Sequence, residues 1–394
     1  MLKKVFMMII LISGISFAES SSINFTGMGP TSSLAAKFAN GIGVGYVKSG
    51  STEVAVARWT PDFKLGDLGV GVDINIPLKG GNTEGIEPVV LRYAEYNTSV
   101  WGVRYGILNN VTLASGLLMS SYSTLSKGGV FPTNKQVGVK GYYRYDTYEL
   151  FVLGSWSSLY AVRITDQITP NLIIGGSYVT DVDGVNFTNP DSSKTLYPAM
   201  SGWSVDAKIP VFEGAYVYAE YARLLNYGGG FSGGVNMGYD LGIAKASFSA
   251  AKIFADKNFV PGYFNENYET SPINLVSYEA MSATKDGYQI KFTADVLGRS
   301  RAWAIYESYV GSNSTLKAEA SADLTDDYYA SASIYQPNFI DARSLNVEEG
   351  AILTGKVGYK VNSNMLMIVN YKKAYDPTAG KVVESQWYEV SLAF

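Results

Sequence analysis

The sequence predicts an all-β protein: a closed, transmembrane, antiparallel β-barrel of about 18 strands, within a range of about 16 to 20. Three observations support this prediction. Segments of about ten residues alternate between apolar and polar side chains, the charges of these segments keep to one face, and long and short connections alternate along the chain. Such a barrel is expected to have short periplasmic turns and long extracellular loops.

The alternation has a period of two, which is the period of a β-strand. In GYQIKFTADV, at residues 287–296, apolar or aromatic residues alternate with polar ones such as Lys291 and Asp295. The same pattern recurs in segments at 136–145, 203–209, 315–324 and 351–361. Segments of about ten residues suit a tilted membrane strand, whereas soluble strands average about five or six.

The polar face of these segments carries charges of both signs, and its members are the candidates for lining a pore. They are Lys140, Arg144, Asp206, Lys208, Lys291, Asp295, Lys317, Glu319, Asp323, Lys356 and Lys360. Mixed signs predict a water-filled channel with weak ion preference. The alternative is that these charges pair with one another inside a filled barrel, although about eighteen strands enclose a lumen too wide for side chains alone to fill.

Connections counted backward from the C-terminus fall into two classes. Short turns are predicted near 146, 210–214, 240–242, 297–300, 325–326 and 362–364. Longer connections are predicted at 121–135, 181–199, 225–232, 256–285, 336–350 and 374–383, with short exceptions at 97–99, 156–157 and 311–312. Sorting of long loops to one end is typical of outer-membrane barrels. Strands counted from about residue 111 number about sixteen, and 89–96 with 100–106 raise the number to about eighteen. Two further segments, 54–58 and 68–78, would raise it to about twenty.

The longest connection, at 257–287, contains Glu266, Glu269 and several aromatic residues. One interpretation is an ordered surface loop. The other is a loop that folds into the lumen and narrows it, with the two glutamates as constriction residues.

The N-terminus has the features of a secretory signal peptide over residues 1–18. Lys3 and Lys4 precede an apolar stretch at 5–15, and cleavage is expected after Ala18. Residues 19–50 are less regular and are predicted to be early strands or a short plug, and residues 51–394 to be the transmembrane barrel. The chain has no cysteine, so disulfides, a lipoprotein anchor and thiol catalysis are excluded.

The composition also argues against other classes of function. The chain has no histidine, the commonest general base, and no pattern indicates a nucleophile, so an enzyme is not predicted. A net charge of −4 without basic clusters argues against nucleic-acid binding. DVDG at 181–184 has only part of a calcium-loop pattern and is interpreted as a polar loop tip. We predict neither a cofactor nor a metal site.

The C-terminal segment SQWYEVSLAF keeps the alternation to its last residue. Tyr388, Val390, Leu392 and the terminal Phe394 share one face. This segment resembles the membrane-insertion signal of bacterial outer-membrane β-barrels, and the chain resembles porin-type barrels over most of its length. The segment is predicted to pair both with residues 365–373 and with an N-terminal strand, because an unpaired edge cannot face hydrocarbon.

The resemblance implies an outer-membrane location, contact with outer-membrane lipid, insertion by the barrel assembly machinery and a homotrimer. It also implies passive diffusion of small hydrophilic solutes and ions. One alternative is a substrate-selective channel, for example for sugars, suggested by the thirty tyrosines. Another is a structural or surface-attachment barrel without transport.

Overall fold

The computed structural model describes residues 42–49, 52–80, 86–125, 133–134, 136–188, 194–197, 199–269, 286–311, 313–340, 351–362, 365–376 and 381–392. These ranges contain strands joined by turns and irregular segments. No helix within them is long and apolar enough to cross a membrane. Of residues 19–50, those at 42–49 are described, and they form the first strand.

The strands, in chain order, are β1 (Ile42–Ser49), β2 (Thr52–Trp59), β3 (Asp62–Leu65), β4 (Leu68–Gly80), β5 (Val89–Asn97), β6 (Trp101–Gly106), β7 (Met119–Ser120), β8 (Gly138–Tyr145), β9 (Tyr148–Ser155), β10 (Leu159–Thr169), β11 (Leu172–Asp181), β12 (Val185–Thr188), β13 (Lys194–Tyr197), β14 (Ser201–Phe212), β15 (Ala215–Leu224), β16 (Gly228–Asp240), β17 (Ala244–Ala255), β18 (Phe264–Asn265), β19 (Gly287–Val296), β20 (Ser300–Tyr309), β21 (Ser314–Asp323), β22 (Tyr328–Phe339), β23 (Ile352–Asn362), β24 (Met365–Asp376) and β25 (Lys381–Leu392). Four of them stand outside the large sheet: β12 pairs with β13, and β7 pairs with β18.

The large sheet closes into a ring at β1. This strand pairs antiparallel with β2 on one side and with β25 on the other, so that Val44 lies opposite both Ala57 and Val390. β25 also pairs with β24. The predicted double pairing of the C-terminal segment is therefore confirmed, and the ring leaves no open edge at this seam.

The strand number lies at the upper limit of the predicted range of about 16 to 20, above the favoured number of about 18. The sheet contains twenty-one of the described strands, and β2 and β3 share one row because both pair with β4, so the ring has twenty rows. The segment from about residue 111, counted as a wall strand, does not belong to the ring. β6 instead pairs directly with β8, and the ring gains rows from β1, β2 and β4.

The two faces of the wall differ in polarity as predicted. On β19 the side chains of Ile290 and Phe292 are 37% and 44% exposed on the outer face, while Lys291 lies between them on the inner face. Large apolar side chains such as Val205, Val357 and Met367 are likewise exposed. A lipid environment would cover this outer surface, which would be costly to expose to water.

Long connections lie at one end of the ring, which confirms the predicted sorting. The connections predicted as long at 225–232 and 374–383 are wrong in length, since they shorten to 225–227 and 377–380. The strand ends that are joined by 107–137, 182–200, 256–286 and 340–351 share this end, whereas turns of a few residues join the strands at the other. The connection at 98–100 was predicted at the long-loop end but lies at the short-turn end. The segment near residue 111 is not a wall strand, and removing one strand from the count moves every earlier turn to the opposite end. Gly214 forms one of the short turns with φ of 78°, and a Cβ there would lie 2.2 Å from the carbonyl oxygen of Gly238.

Candidate pore interior

The described parts of two long connections fold back into the ring. We call residues 107–125 the first infolded segment and residues 256–269 the second. β7 of the first pairs in parallel with β18 of the second. The N–H of Gly262 also donates to the carbonyl oxygen of Leu117 at 2.7 Å. The two segments are thus joined by backbone hydrogen bonds.

The first infolded segment crosses the interior. It leaves the wall at β6, and Ser115 near its tip contacts Glu220 on β15 and Lys291 on β19. β6 and β19 lie on nearly opposite sides of the ring. A segment can contact these strands together only from inside the barrel, which also identifies the inner face of the wall.

A single buried carboxylate holds the tip of this segment. Oε2 of Glu220 accepts hydrogen bonds from the N–H of Ser115 at 3.0 Å, from the Ser115 hydroxyl, and from the N–H of Leu117 at 3.3 Å. The side chain of Glu220 is almost fully buried. An ionised carboxylate is the strongest acceptor available for such backbone donors.

The infolded segments pack an apolar core against one part of the wall. From the segments, the core includes Leu108, Val111, Leu113, Leu117, Leu118, Met119, Tyr122, Phe259, Val260, Tyr263, Phe264 and Tyr268. From the wall, it includes Phe151, Leu153, Leu159, Ala161, Val179, Ala222, Leu224, Ile253 and Ala255. These wall residues belong to β9, β10, β11, β15 and β17. Burial of apolar surface therefore anchors both segments to this side of the lumen.

The second infolded segment is also fixed by polar contacts. Nζ of Lys317 on β21 lies 2.7 Å from Oε1 of Glu266. The hydroxyl of Tyr268 donates to Asp181 at 2.7 Å. Tyr122 and Ser155 both donate to Glu269, the latter at 3.3 Å.

Burial raises the pKa of the Glu269 carboxyl, although hydrogen bonds from the Ser157, Tyr122 and Ser155 hydroxyls oppose the rise. Burial also raises the pKa of Tyr122, and the nearby Glu269 carboxyl adds to that effect. Burial thus favours the protonated form of both side chains, whereas the hydrogen bond between them favours a protonated Tyr122 and an ionised Glu269.

Four of the predicted interior charges form ion pairs with other residues of the wall strands and their turns. Asp206 accepts two hydrogen bonds from Arg163, at 2.6 and 2.9 Å, and both side chains are buried. The other three pairs are Arg144 with Glu149 at 2.6 Å, Asp295 with Arg301 at 3.0 Å, and Lys360 with Asp327 at 3.2 Å. The ion pairs that contain Arg301 and Lys360 lie near the short-turn end.

The remaining predicted charges also lie on the inner face. Lys140 is buried and lies opposite Arg104 on β6. Lys208 lies over the ring of Tyr216, with 5.6 Å from Nζ to the ring centre. Glu319 accepts a hydrogen bond from the indole N–H of Trp303 at 3.2 Å. Asp323 is buried near the short-turn end, and Lys356 lies half-buried on β23.

Several inner-face residues were not predicted. Glu220 lies on the inner face of β15, and Arg163 lies on the inner face of β10. The buried Asp73 carboxylate lies between two arginines. Its Oδ2 is 2.6 Å from Nη2 of Arg58, and its Oδ1 is 3.3 Å from Nε of Arg92. Their signal was available, because each lies between outward-facing apolar residues in its strand.

The proposed membrane-insertion signal is described in part. Tyr388 is 51% exposed on the outer face of β25, and Val390 is half-buried. The side chain of Leu392 and the whole of Phe394 lie outside the described residues.

Within the described ranges, no group of three or more acidic side chains is placed to hold a metal ion. In the DVDG sequence, Asp181 accepts hydrogen bonds from the N–H groups of Asp183 and Gly184 at 3.2 and 2.9 Å. This carboxylate closes a local turn, as is common for Asp in loops.

A closed antiparallel ring with an apolar exterior and a charged interior defines the class of transmembrane β-barrels. No family model matches this sequence, and no curated protein is significantly similar to it.

Similar solved structures include a BenF-like porin from Pseudomonas fluorescens Pf-5, with 11% identity, a TM-score of 0.39, and coverage of 90% of this chain and 97% of that one. They also include the outer membrane protein opdK from Pseudomonas aeruginosa, with 11% identity, a TM-score of 0.36, and coverage of 89% and 96%. OpdH from Pseudomonas aeruginosa has 9% identity, a TM-score of 0.38, and coverage of 89% and 95%. Values this low define no residue-level correspondence, and the barrel follows from the chain's own strand pairing.

Proposed function

We propose that this chain is an outer-membrane porin, a channel through which small hydrophilic solutes and ions diffuse passively. The observation that carries the proposal is the closed ring with an apolar outer face and a charged inner face, in which the apolar core of the infolded segments packs against one part of the wall. A charged inner face suits water, and an apolar outer face suits lipid. Transport rather than catalysis is therefore the proposed role.

The proposed path lies off centre, between the infolded segments and strands β19 to β23. On the inner face of these strands Lys291, Ser333, Thr354 and Lys356 are only partly buried. The wall residues facing the apolar core, such as Leu159, are by contrast fully buried. The narrowest point of the path would lie where Glu266 of the second infolded segment meets Lys317 on β21. Glu269 would not line this point, because it bonds to Tyr122 and Ser155 behind it.

Charges of both signs border this path, so weak ion preference is proposed. Lys291, Lys317 and Lys356 contribute positive charge, and Glu266 and Glu319 contribute negative charge. Opposite charges at similar positions give no continuous ring of one sign, which is the usual basis of strong ion selectivity.

Planar-bilayer recording of the purified full chain tests the proposal. The expected result is stepwise conductance increments with a small reversal potential in a salt gradient. Folded protein that inserts into the bilayer but gives no increments would contradict the porin function and favour the structural or surface-attachment role.

A substrate-selective channel is the second candidate, and one observation favours it. Trp303 donates to Glu319, and Nζ of Lys317 lies 5.8 Å from the ring centre of Tyr335, so aromatic and charged groups meet on the inner face. Sugars stack on aromatic rings and bond to carboxylates. Current that saturates with a sugar, or is blocked by it, would favour this candidate over free diffusion.

The proposal includes export by residues 1–18, insertion by the barrel assembly machinery through the C-terminal segment, and a homotrimer. The apparent mass of the unheated protein in a detergent gel shows whether it is a trimer. Deletion of Phe394 tests the insertion signal. The truncated chain should be synthesised in normal amounts, but less of it should assemble in the outer membrane. A truncated chain that assembles normally would contradict this part of the proposal.

A further inference from the structure

A groove lies on the outer face of the barrel near the short-turn end, away from the interior path. Its volume is about 390 Å³. Its walls are formed by Tyr143, Tyr145, Tyr148, Leu150 and Ile164, with Glu149 at its border. The Glu149 side chain turns inward to Arg144, so the groove surface is almost wholly apolar and aromatic.

The edge of this groove carries a carboxylate. Asp166 follows Ile164 by two residues on β10 and lies opposite Tyr148, so its side chain shares the outer face with them. The hydroxyl of Thr147 donates to Oδ1 of Asp166 at 2.8 Å. In the described part of the chain, no basic side chain forms an ion pair with Asp166. A charge on the outer face of a membrane barrel is costly toward the midplane and cheaper near the interface.

We propose that this groove binds one phosphatidylethanolamine molecule, with an acyl chain along the groove and the headgroup ammonium hydrogen-bonded to Asp166. The inference rests on membrane insertion as proposed above. An ammonium would supply the cation that Asp166 otherwise lacks on this face, and such a charge-assisted bond is stronger than a neutral one. The three tyrosines stand at the groove rim, where aromatic residues of membrane proteins meet the headgroups.

Charge complementarity favours this lipid over other occupants. An anionic lipid would bring a negative phosphate to Asp166 without a cation to offset it. A second copy related by a two-fold axis would present its own Tyr143, Tyr145 and Asp166 to the groove, which again supplies no positive charge. Both alternatives are therefore disfavoured by the same carboxylate.

Native mass spectrometry of the full chain, equilibrated with equal amounts of phosphatidylethanolamine and phosphatidylglycerol, tests the site. We expect the wild type to retain the ethanolamine lipid about fivefold more than the glycerol lipid. Asp166→Lys should invert this preference. Ile164→Trp should fill the groove and lower retention of both lipids, whereas Ile290→Trp, on the outer face of β19, should leave retention unchanged.

Equal retention of the two lipids by the wild type, or an unchanged preference in Asp166→Lys, would overturn the proposal. A dimer retained in place of lipid, and lost in Ile164→Trp, would overturn it in favour of a second copy. Each variant should migrate like the unheated wild type in a detergent gel, which checks that its barrel is folded.

Conductance separates this inference from the porin proposal. The groove lies outside the ring, so Asp166→Lys and Ile164→Trp should conduct like the wild type. Lipid preference without conductance would contradict the porin function alone. Conductance without lipid preference would contradict the lipid site alone.

Discussion

Lys317 and Glu266 form an ion pair between the wall and the second infolded segment, with 2.7 Å between Nζ and Oε1. Their side chains are 20% and 11% exposed. The pair joins β21 to a segment that begins three strands away, at the end of β17. This contact therefore sets how far the segment reaches into the proposed path.

Removing one partner of this pair should widen the path. In Lys317→Gln, Glu266 loses its cation while largely buried, which costs roughly 1–3 kcal/mol in local stability. We expect a larger single-channel conductance and more current noise. Lys360→Gln is the matched control, because its ion pair with Asp327 lies at the exposed short-turn end. Unchanged conductance in Lys317→Gln would show that the pair does not set the pore width.

Glu220 should determine the order of the first infolded segment. Glu220→Ala removes the acceptor of three hydrogen bonds and should loosen the tip by roughly 2–4 kcal/mol. Amide hydrogen exchange at Leu117 should become at least about tenfold faster. Glu220→Gln keeps an acceptor oxygen and should restore part of the protection.

The matched control for this prediction is Glu319→Ala. Glu319 is an inner-face carboxylate on β21 that bonds to Trp303 in the wall. Its removal should leave exchange at Leu117 unchanged. Equal loss of protection in both variants would indicate general weakening of the barrel rather than release of the tip.

The second infolded segment should be most stable at acid pH. Because burial raises the pKa of Glu269, the folded state binds more protons than the unfolded state between the ordinary and the raised pKa values. The free energy of unfolding of this segment should fall as pH rises from about 4.3 through this window. Above the raised pKa of Glu269 it should no longer change with pH. Amide exchange at Tyr268 measures this effect after correction for intrinsic rates. Glu269→Gln should remove the slope, and a slope that persists in this variant would contradict the assignment.

Closure of the ring at β1 and β25 can be tested with a new disulfide. The natural chain has no cysteine, and Val44 lies directly opposite Val390. Opposed residues of antiparallel strands have Cα atoms about 4.5–5.5 Å apart, which suits a disulfide. Val44→Cys with Val390→Cys should therefore crosslink in the membrane-inserted protein.

Val369→Cys with Tyr388→Cys is the control for the seam, since these residues face each other across β24 and β25. This pair should crosslink whether or not the ring closes. If the control pair crosslinks and the seam pair does not, the sheet is open between β1 and β25.

The wall could be predicted from the sequence because each face of a membrane strand meets a different solvent. Lys291 between Ile290 and Phe292 illustrates the signal, since the period of two appears wherever water and lipid lie on opposite sides. The sorting of loops was predictable for a similar reason, as hairpins return the chain to alternate ends.

The interior could not be predicted in the same way. Residues 111–120 are largely apolar and of strand length, which is the pattern of a wall strand, but Val111, Leu113 and 117–119 are buried in the core inside the ring. The consecutive residues Leu117, Leu118 and Met119 break the period of two, and this is the signal that they are not in the wall. Tyr263 and Phe264 give the same signal in the second infolded segment. Contacts such as Ser115 with Glu220, more than a hundred residues apart, leave no local pattern.

Cysteine accessibility in a bilayer tests the off-centre path most directly. Three single variants place a thiol in the three proposed environments: Lys356→Cys in the path, Ala222→Cys in the apolar core, and Val357→Cys on the outer face. A charged, membrane-impermeant thiol reagent should reduce the current through Lys356→Cys and leave the other two unchanged. Current reduced in Ala222→Cys or Val357→Cys but not in Lys356→Cys would contradict both the position of the path and the inner face of β23.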